Sequence, residues 1–360
     1  MFIITQKKTL TDHEAFSLYG LRRERGKTKF SPEKLIQAFG PEVSNGSMIF
    51  DYEESVEKQP RKGICVVRVG GLGDLIMLTS SLRKLKDKYP KQSLILATHP
   101  VHQRVFKYLS ILDDCISVFD LHRFQFEKMI DLRWAVEPDE IARNKGKLSW
   151  KDYISLDRSD VFDKLCGVNS RGKPFMIPIN EKRKQEITRI VGDHSPIIGF
   201  TPTCRAQHRA FPHDYVNRVV KGLTKEGKVV LFGKTESWDG HLSELKMPGL
   251  LNLLNKTSAN QAIALCSILN LLITPDSGFL HVSGALGNKC LALFGNINPE
   301  TRTSYYPSVK ALYAKKEAIL GCCPCWDIHK ECKPYRGSAA CMRLFTPEKI
   351  VGEARKMLNA

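Results

Sequence analysis

The sequence predicts an α/β protein of two similar parallel-sheet halves with a cleft between them, and an N-terminal appendage in front. Three observations carry that expectation. The stretch Gly63 to Pro90, GICVVRVGGLGDLIMLTSSLRKLKDKYP, reads as strand, glycine turn and helix. From there to about Asn180, short apolar runs alternate with helical patterns. At Pro196 the same alternation starts afresh. Strands separated by helices need crossover connections, and crossovers make a parallel sheet.

Residues 1–60 share no periodicity with the rest of the chain and form an appendage of unassigned role. Within it, Ser31-Pro32-Glu33 ahead of Leu35, Ile36 and Phe39 has the form of an N-capped helix with proline at its first position, ended by Gly40-Pro41. Met48-Ile49-Phe50 has that of an edge strand. The first domain is expected over 61–190. Ile64 to Val69 is a β-branched apolar run, as in a buried parallel strand. Leu75, Leu78, Leu82 and Leu85 then recur at helical spacing until Tyr89-Pro90 stops the helix. Ser93 to Thr98, Cys115 to Phe119 and Met129 to Leu132 follow as strands, and Glu181 to Arg189 is a charged helix leading out.

The second domain is expected over 191–345. Its strands are Pro196 to Thr201, Lys228 to Phe232, Leu251 to Leu254, Leu269 to Thr274 and Cys290 to Phe294, and its helices Phe211 to Glu226, Ala259 to Ser267 and Leu280 to Leu286. The last piece, 346–360, opens on Thr346-Pro347-Glu348 as a helix cap and puts Ile350, Ala354 and Leu358 on one side.

Composition narrows the partners. Hydrophobic content of 42% and charged content of 26% are those of a folded globular protein, so disorder is excluded. The formal charge of +17 calls for something acidic, a phosphorylated substrate or anionic lipid. The basic residues are spread out and lack aromatic interleaving, so no nucleic-acid partner is expected. The longest apolar window, Ala262 to Ile273, is too short for a membrane span and contains Asn270. Met1-Phe2-Ile3-Ile4 runs straight into Thr5-Gln6-Lys7-Lys8 without a signal-peptide core, which places the chain in the cytoplasm. Six of the 11 cysteines, Cys65, Cys115, Cys166, Cys204, Cys266 and Cys290, are scattered in apolar contexts as free thiols; five crowd into Cys322 to Cys341.

The glycine turn after the first strand, Gly70, Gly71 and Gly73, lets a ligand approach bare backbone and aims helix N-terminal amides at it. It is neither of two familiar phosphate loops. A dinucleotide fingerprint starting at Gly71 would need glycine where Ile76 stands, and no Gly-Lys-Ser/Thr follows for a P-loop. What remains is Asp74, a carboxylate at a strand's carboxyl end, where open α/β sheets bind ligands; its other possible role is a helix N-cap.

In the second half, Asp276-Ser277-Gly278-Phe279-Leu280-His281 opens a helix directly after a strand. Ser277 and Gly278 offer N–H groups, a hydroxyl and a helix dipole as a diphosphate seat, or else a plain cap and tight turn, with His281 then a packing residue. Thr203, Arg205 and Arg209 share one strand-to-helix loop, and two arginines there can clamp phosphate oxygens. Glu236, past Phe232-Gly233, is placed to bond ribose hydroxyls or simply to face solvent.

The ordered set V-V-R-V-G-G-L-G-D, R-A-F-P, F-G-K-T-E, P-D-S-G-F-L-H-V-S-G-A-L-G and L-F-G-N-I-N-P resembles glycosyltransferase family 9, the ADP-heptose heptosyltransferases of lipopolysaccharide core assembly, over roughly 63–358. The resemblance implies the GT-B fold, two Rossmann-like doubly wound domains facing a cleft, with the last helix returning to the first domain. It implies that Asp74 is the general base, that Ser277, Gly278 and Phe279 form the diphosphate turn with Asp276 and His281 in the same motif, and that Glu236 meets the nucleoside. Arg209 falls where the family has a lysine, keeping the charge but changing its geometry.

The implied activity is inverting transfer of heptose from ADP-heptose to a phosphorylated lipopolysaccharide inner-core acceptor, at the inner face of the cytoplasmic membrane. Fixed cations and N–H donors serve the leaving group, and no cofactor is required for catalysis. Cys322 and Cys325 have knuckle spacing and, with Cys332 and Cys341, offer four thiolates to a structural zinc or iron; reduced structural thiols are the alternative. Cys325-Trp326-Asp327 and the N-terminal extension also resemble a subgroup that heptosylates autotransporter proteins. Further alternatives are a family 9 enzyme using another nucleotide sugar, a nucleotide-sugar-binding protein without turnover, which Asp74 disfavours, and a basic nucleic-acid-binding module.

Overall fold

The computed structural model describes residues 58–133, 135–136, 148–170, 172, 175–204, 207–236, 239–314, 324–325 and 339–360. The helix expected at Ser31 and the strand expected at Met48 lie outside them. The described residues form two compact units, 58–69 with 88–133, and 70–87 with 135–360.

In the first unit, β1 (Gln59–Val67), β2 (Leu94–Thr98), β3 (Asp114–Ser117) and β4 (Phe124–Asp131) make an all-parallel sheet in the order β3-β2-β1-β4. Cys65, Val67, Ile95, Ala97, Ile116 and Val118 form a core on it. Burial pushes the thiols of Cys65 and Cys115 up to about 12, so both stay protonated. Two strands outrun their apolar signal. β1 starts at Gln59, ahead of the run at Ile64, where the Arg61 guanidinium lies 4.5 Å from the Phe124 ring centroid and bonds Asp114 at 2.7 Å. β4 begins five residues before the expected Met129, and its side chains are half-buried or exposed throughout.

β1 leads through Gly70-Gly71 into α1 (Leu72–Lys88), nearly all of which belongs to the second unit. Helix α2 (Pro100–Phe106) belongs to the first unit. In the second, α3 (Trp150–Ser155), α4 (Arg158–Cys166) and α5 (Glu181–Val191) precede the sheet. Its elements run β5 (Ile197–Phe200), α6 (His213–Leu223), β6 (Lys228–Gly233), β7 (Leu250–Leu254), α7 (Ala259–Cys266), β8 (Leu271–Pro275), α8 (Gly278–Leu286), β9 (Cys290–Phe294), α9 (Glu300–Thr303) and β10 (Val309–Tyr313). Two helices, α10 (Ala340–Arg343) and α11 (Pro347–Asn359), close the chain.

The six strands are parallel in the order β10-β9-β8-β5-β6-β7, the doubly wound dinucleotide-fold order. The order reverses between β5 and β8, where Thr201 donates its hydroxyl to Thr274 at 2.6 Å. β5, β8 and β9 are buried along their whole length, as strands covered on both faces must be. Edge strand β10 has no uniform apolar run and is an addition to the expected strands.

The two sheets follow the expected order along the chain, one before residue 190 and one after it, while α1 and residues 148–190 group with the second sheet. The closing helix, implied to return to the first domain, buries Ile350 and Ala354 in the second unit's core, with Val351 over Gly222 of α6.

Candidate functional site

The carboxyl ends of β5, β6, β8 and β9 lie along one edge of the second sheet, and the reversal between β5 and β8 is where open α/β folds leave a crevice for ligands. The loop after β5 folds back on itself through Phe211 N–H, which donates to Pro202 O at 2.9 Å. That closure sets Arg209 over β8, with Nη1 at 3.3 Å from Asp276 Oδ2. Asp276 is buried. Burial opposes its ionised form, but Arg209, Arg302, His281 and Arg158 outweigh it and hold the carboxyl below its ordinary value. Burial likewise opposes the Arg209 charge, and Asp276, Cys204, Tyr153 and Asp74 more than restore it. Thr203, also buried, turns its hydroxyl toward Gly233 at the end of β6.

Ser277 caps α8: its Oγ accepts from Phe279 N–H at 3.3 Å and lies 2.9 Å from Thr274 Oγ1. Phe279 packs edge-on against Phe232 with ring centroids 5.1 Å apart. Gly278 lets this helix start against the start of α1, since a Cβ there would lie 3.1 Å from Leu72 Cβ and 3.6 Å from Gly73 N. The positive ends of two helix dipoles therefore meet.

Asp74 sits in the first turn of α1, and Arg158 Nη1, at the start of α4, approaches its Oδ1 at 3.4 Å. The same Nη1 donates to Val136 O at 3.3 Å, and the guanidinium lies 5.3 Å from the Tyr153 ring centroid. His281, one turn into α8, fills the space beside α1. A Cβ on Gly73 would fall 2.3 Å from its Cδ2. Its Nδ1 lies 3.2 Å from the Tyr306 hydroxyl, and the Tyr306 ring rests on Gly284. Burial pushes the imidazole down to about 4, against the pull of Asp276, so the ring is neutral at pH 7.

The second unit thus brings Gly73, Asp74, Arg209, Asp276, Ser277, Gly278 and His281 into one cluster, with Thr203 and Phe279 beside it. His281 meets Gly73 and Tyr306 as a packing residue. Glu236 stands one strand along the same edge, apart from the cluster, its N–H held at 2.6 Å by the buried Asp239 carboxylate. Gly70 is half-buried, and a Cβ at Gly71 would meet nothing. Arg205, Cys322 and Cys332 lie outside the described residues. Cys325 is half-buried, and Cys341 is buried with its sulfur toward Gly295 after β9. Among the described residues, no three His, Cys, Asp or Glu side chains gather as metal ligands.

Three residues of the cluster escaped sequence reasoning. Arg302 follows β9 and could have been found by the strand-end rule that singled out Asp276. Arg158 and Tyr306 carry no such signal; only packing brings them in.

The family model for glycosyltransferase family 9 (heptosyltransferase) matches residues 149–335, just over half of the chain. The lipopolysaccharide heptosyltransferase 2 of Salmonella typhimurium is 31% identical over 174 residues, covering 44% of this chain and 50% of its own length. The lipooligosaccharide heptosyltransferase 2 of Haemophilus influenzae is 29% identical over 198 residues, covering 49% and 57%. The chain thus spans about half the length of these relatives. Among solved structures, the E. coli ADP-heptose LPS heptosyltransferase II shares the fold, with a TM-score of 0.63 at 18% identity over 82% of this chain and 98% of the other.

Proposed function

Since the chain belongs to glycosyltransferase family 9, the heptosyltransferases, and carries the GT-B fold of two Rossmann-like domains, we propose that it moves heptose from ADP-heptose to a phosphorylated inner-core acceptor of lipopolysaccharide. The observation that carries this reading is the meeting of the α1 and α8 N-termini at Gly73 and Gly278, which sets the Asp74 carboxylate beside the Ser277 turn. Asp74 takes the proton of the acceptor hydroxyl as that oxygen bonds to the anomeric carbon of the heptose, with inversion. The bond from that carbon to the diphosphate oxygen breaks, and Arg209 and the amides of α8 receive the released charge. These fixed donors supply the stabilisation the step needs without a metal.

No described helix is long and apolar enough to cross a membrane. The charge of +17 favours an anionic acceptor and peripheral attachment to the inner face of the cytoplasmic membrane, both weakened by salt. We keep the four cysteines as a structural zinc or iron site.

The test is the Asp74→Asn variant. Transfer should fall about 10²- to 10⁴-fold, while ADP-heptose still raises the melting temperature as in the wild type. Undiminished transfer would remove the general-base role. Stabilisation by another nucleoside diphosphate in place of ADP would keep the glycosyltransferase and discard the heptose donor.

A further inference from the structure

Among the described residues, three guanidinium groups stand around the two carboxyl groups of the site, and only two of them have a carboxylate partner. Arg158 meets Asp74 at 3.4 Å and Arg209 meets Asp276 at 3.3 Å. Arg302, in α9, is only 6% exposed. Its Nη1 donates to the oxygen and hydroxyl of its own neighbour Thr301, at 2.9 and 3.0 Å, and its Nε and Nη2 have no hydrogen-bond partner among the described residues. No described carboxylate lies within ion-pair distance of it.

The position of Arg302 is fixed. Helix α9 packs against α3 and α4, which carry Tyr153 and Arg158. Just beyond α9, the Tyr305 hydroxyl bonds both oxygens of Asp160 on α4 at 3.0 and 2.9 Å. Tyr306 meets His281 on α8. Burial and then Arg158 work against the Arg302 charge, and Asp276 favours it. Asp157, whose carboxyl also feels the Arg302 charge, spends Oδ1 on Ser159, and burial pushes its pKa up.

A buried guanidinium with no carboxylate in ion-pair contact is costly, and its planar fork suits phosphate oxygens. Among the described residues, the guanidinium groups of Arg158, Arg209 and Arg302 outnumber the carboxyl groups of Asp74 and Asp276, beside two converging helix N-termini. We propose that Arg302 is a further phosphate-binding residue, whose free edge takes an oxygen of the donor's diphosphate. The inference rests on the reading of this site given above.

The experiment is isothermal titration of wild type, Arg302→Met and Arg302→Lys with inorganic pyrophosphate, ADP and adenosine, together with melting curves of the unliganded proteins. Arg302→Met should weaken pyrophosphate and ADP about 10- to 100-fold and leave adenosine unchanged, with Arg302→Lys between. Unliganded Arg302→Met should melt at or above the wild type, because an uncompensated buried charge has gone. Pyrophosphate binding equal to wild type, or a lower melting point at unchanged affinity, would make Arg302 a structural residue and overturn the proposal. Absence of pyrophosphate binding by the wild type would overturn it too. Binding of pyrophosphate but not ADP by the wild type would sink the ADP-heptose reading and leave Arg302 in place.

Discussion

Replacing Gly73 with alanine tests the joint between α1 and α8. The added methyl would lie 2.3 Å from His281 Cδ2, and ordinary contact begins at 3.4 Å, so the helices must part by about 1 Å. The imidazole has no room to retreat, being 3% exposed and backed by Tyr306, itself seated on Gly284. Overpacking of this kind costs about 1–3 kcal/mol, partly offset by the ~0.5–1 kcal/mol that alanine gains over glycine in a helix. We expect a net loss of about 1–2 kcal/mol, read as a lower urea midpoint at constant m-value. Transfer should fall further than stability does, roughly 10²-fold, because a 1 Å displacement of Asp74 is amplified in the rate. A double-mutant cycle with His281→Ala isolates the contact. In that background Gly73→Ala should be neutral or stabilising, giving a coupling of at least about 1 kcal/mol. Equal stability and activity of Gly73→Ala in the wild-type background would show that the ring yields, and the account of the joint would be wrong.

Two more outcomes are expected of the same molecule. His281 is held near 4 when folded and reverts to its ordinary value of 6.5 when unfolded, so the unfolded chain binds more protons in between. Stability from the neutral ring is complete above pH 6.5 and lost as pH falls toward 4, on the order of 3 kcal/mol; acid unfolding of His281→Asn should lack this component, and identical pH profiles would refute it. Anaerobically purified protein should carry about one zinc or iron per chain, lost in Cys322→Ser and Cys325→Ser; metal-free protein of equal stability would remove the knuckle.

Strands buried on both faces were legible as apolar runs: β5, β6, β8 and β9 lie within two residues of their expected ends. Of those with an open face, β7 was read to within one residue and others were not. The first half of β1, most of β4, and β10 are held by backbone pairing and by contacts such as Arg61 on Phe124, which leave no periodic mark. Within the site, strand ends followed by Asp, Ser or Arg could be read because the fold delivers them to one edge. The position of His281 could not, since Gly73, Tyr306 and Gly284, which define its slot, come from three separate stretches of chain. Arg302 shows a different limit: its burial, not its identity, makes it informative.

Helix α1 follows a strand of the first unit, yet it packs with the second. Asp74, Arg158, Arg209, Asp276, His281 and Arg302 all belong to that one body. The spacing between the carboxylate and the cations is therefore set when this unit folds, before any substrate arrives. The packing of Gly73 on His281 and of Gly278 on Leu72 holds that arrangement in place for the proposed reaction.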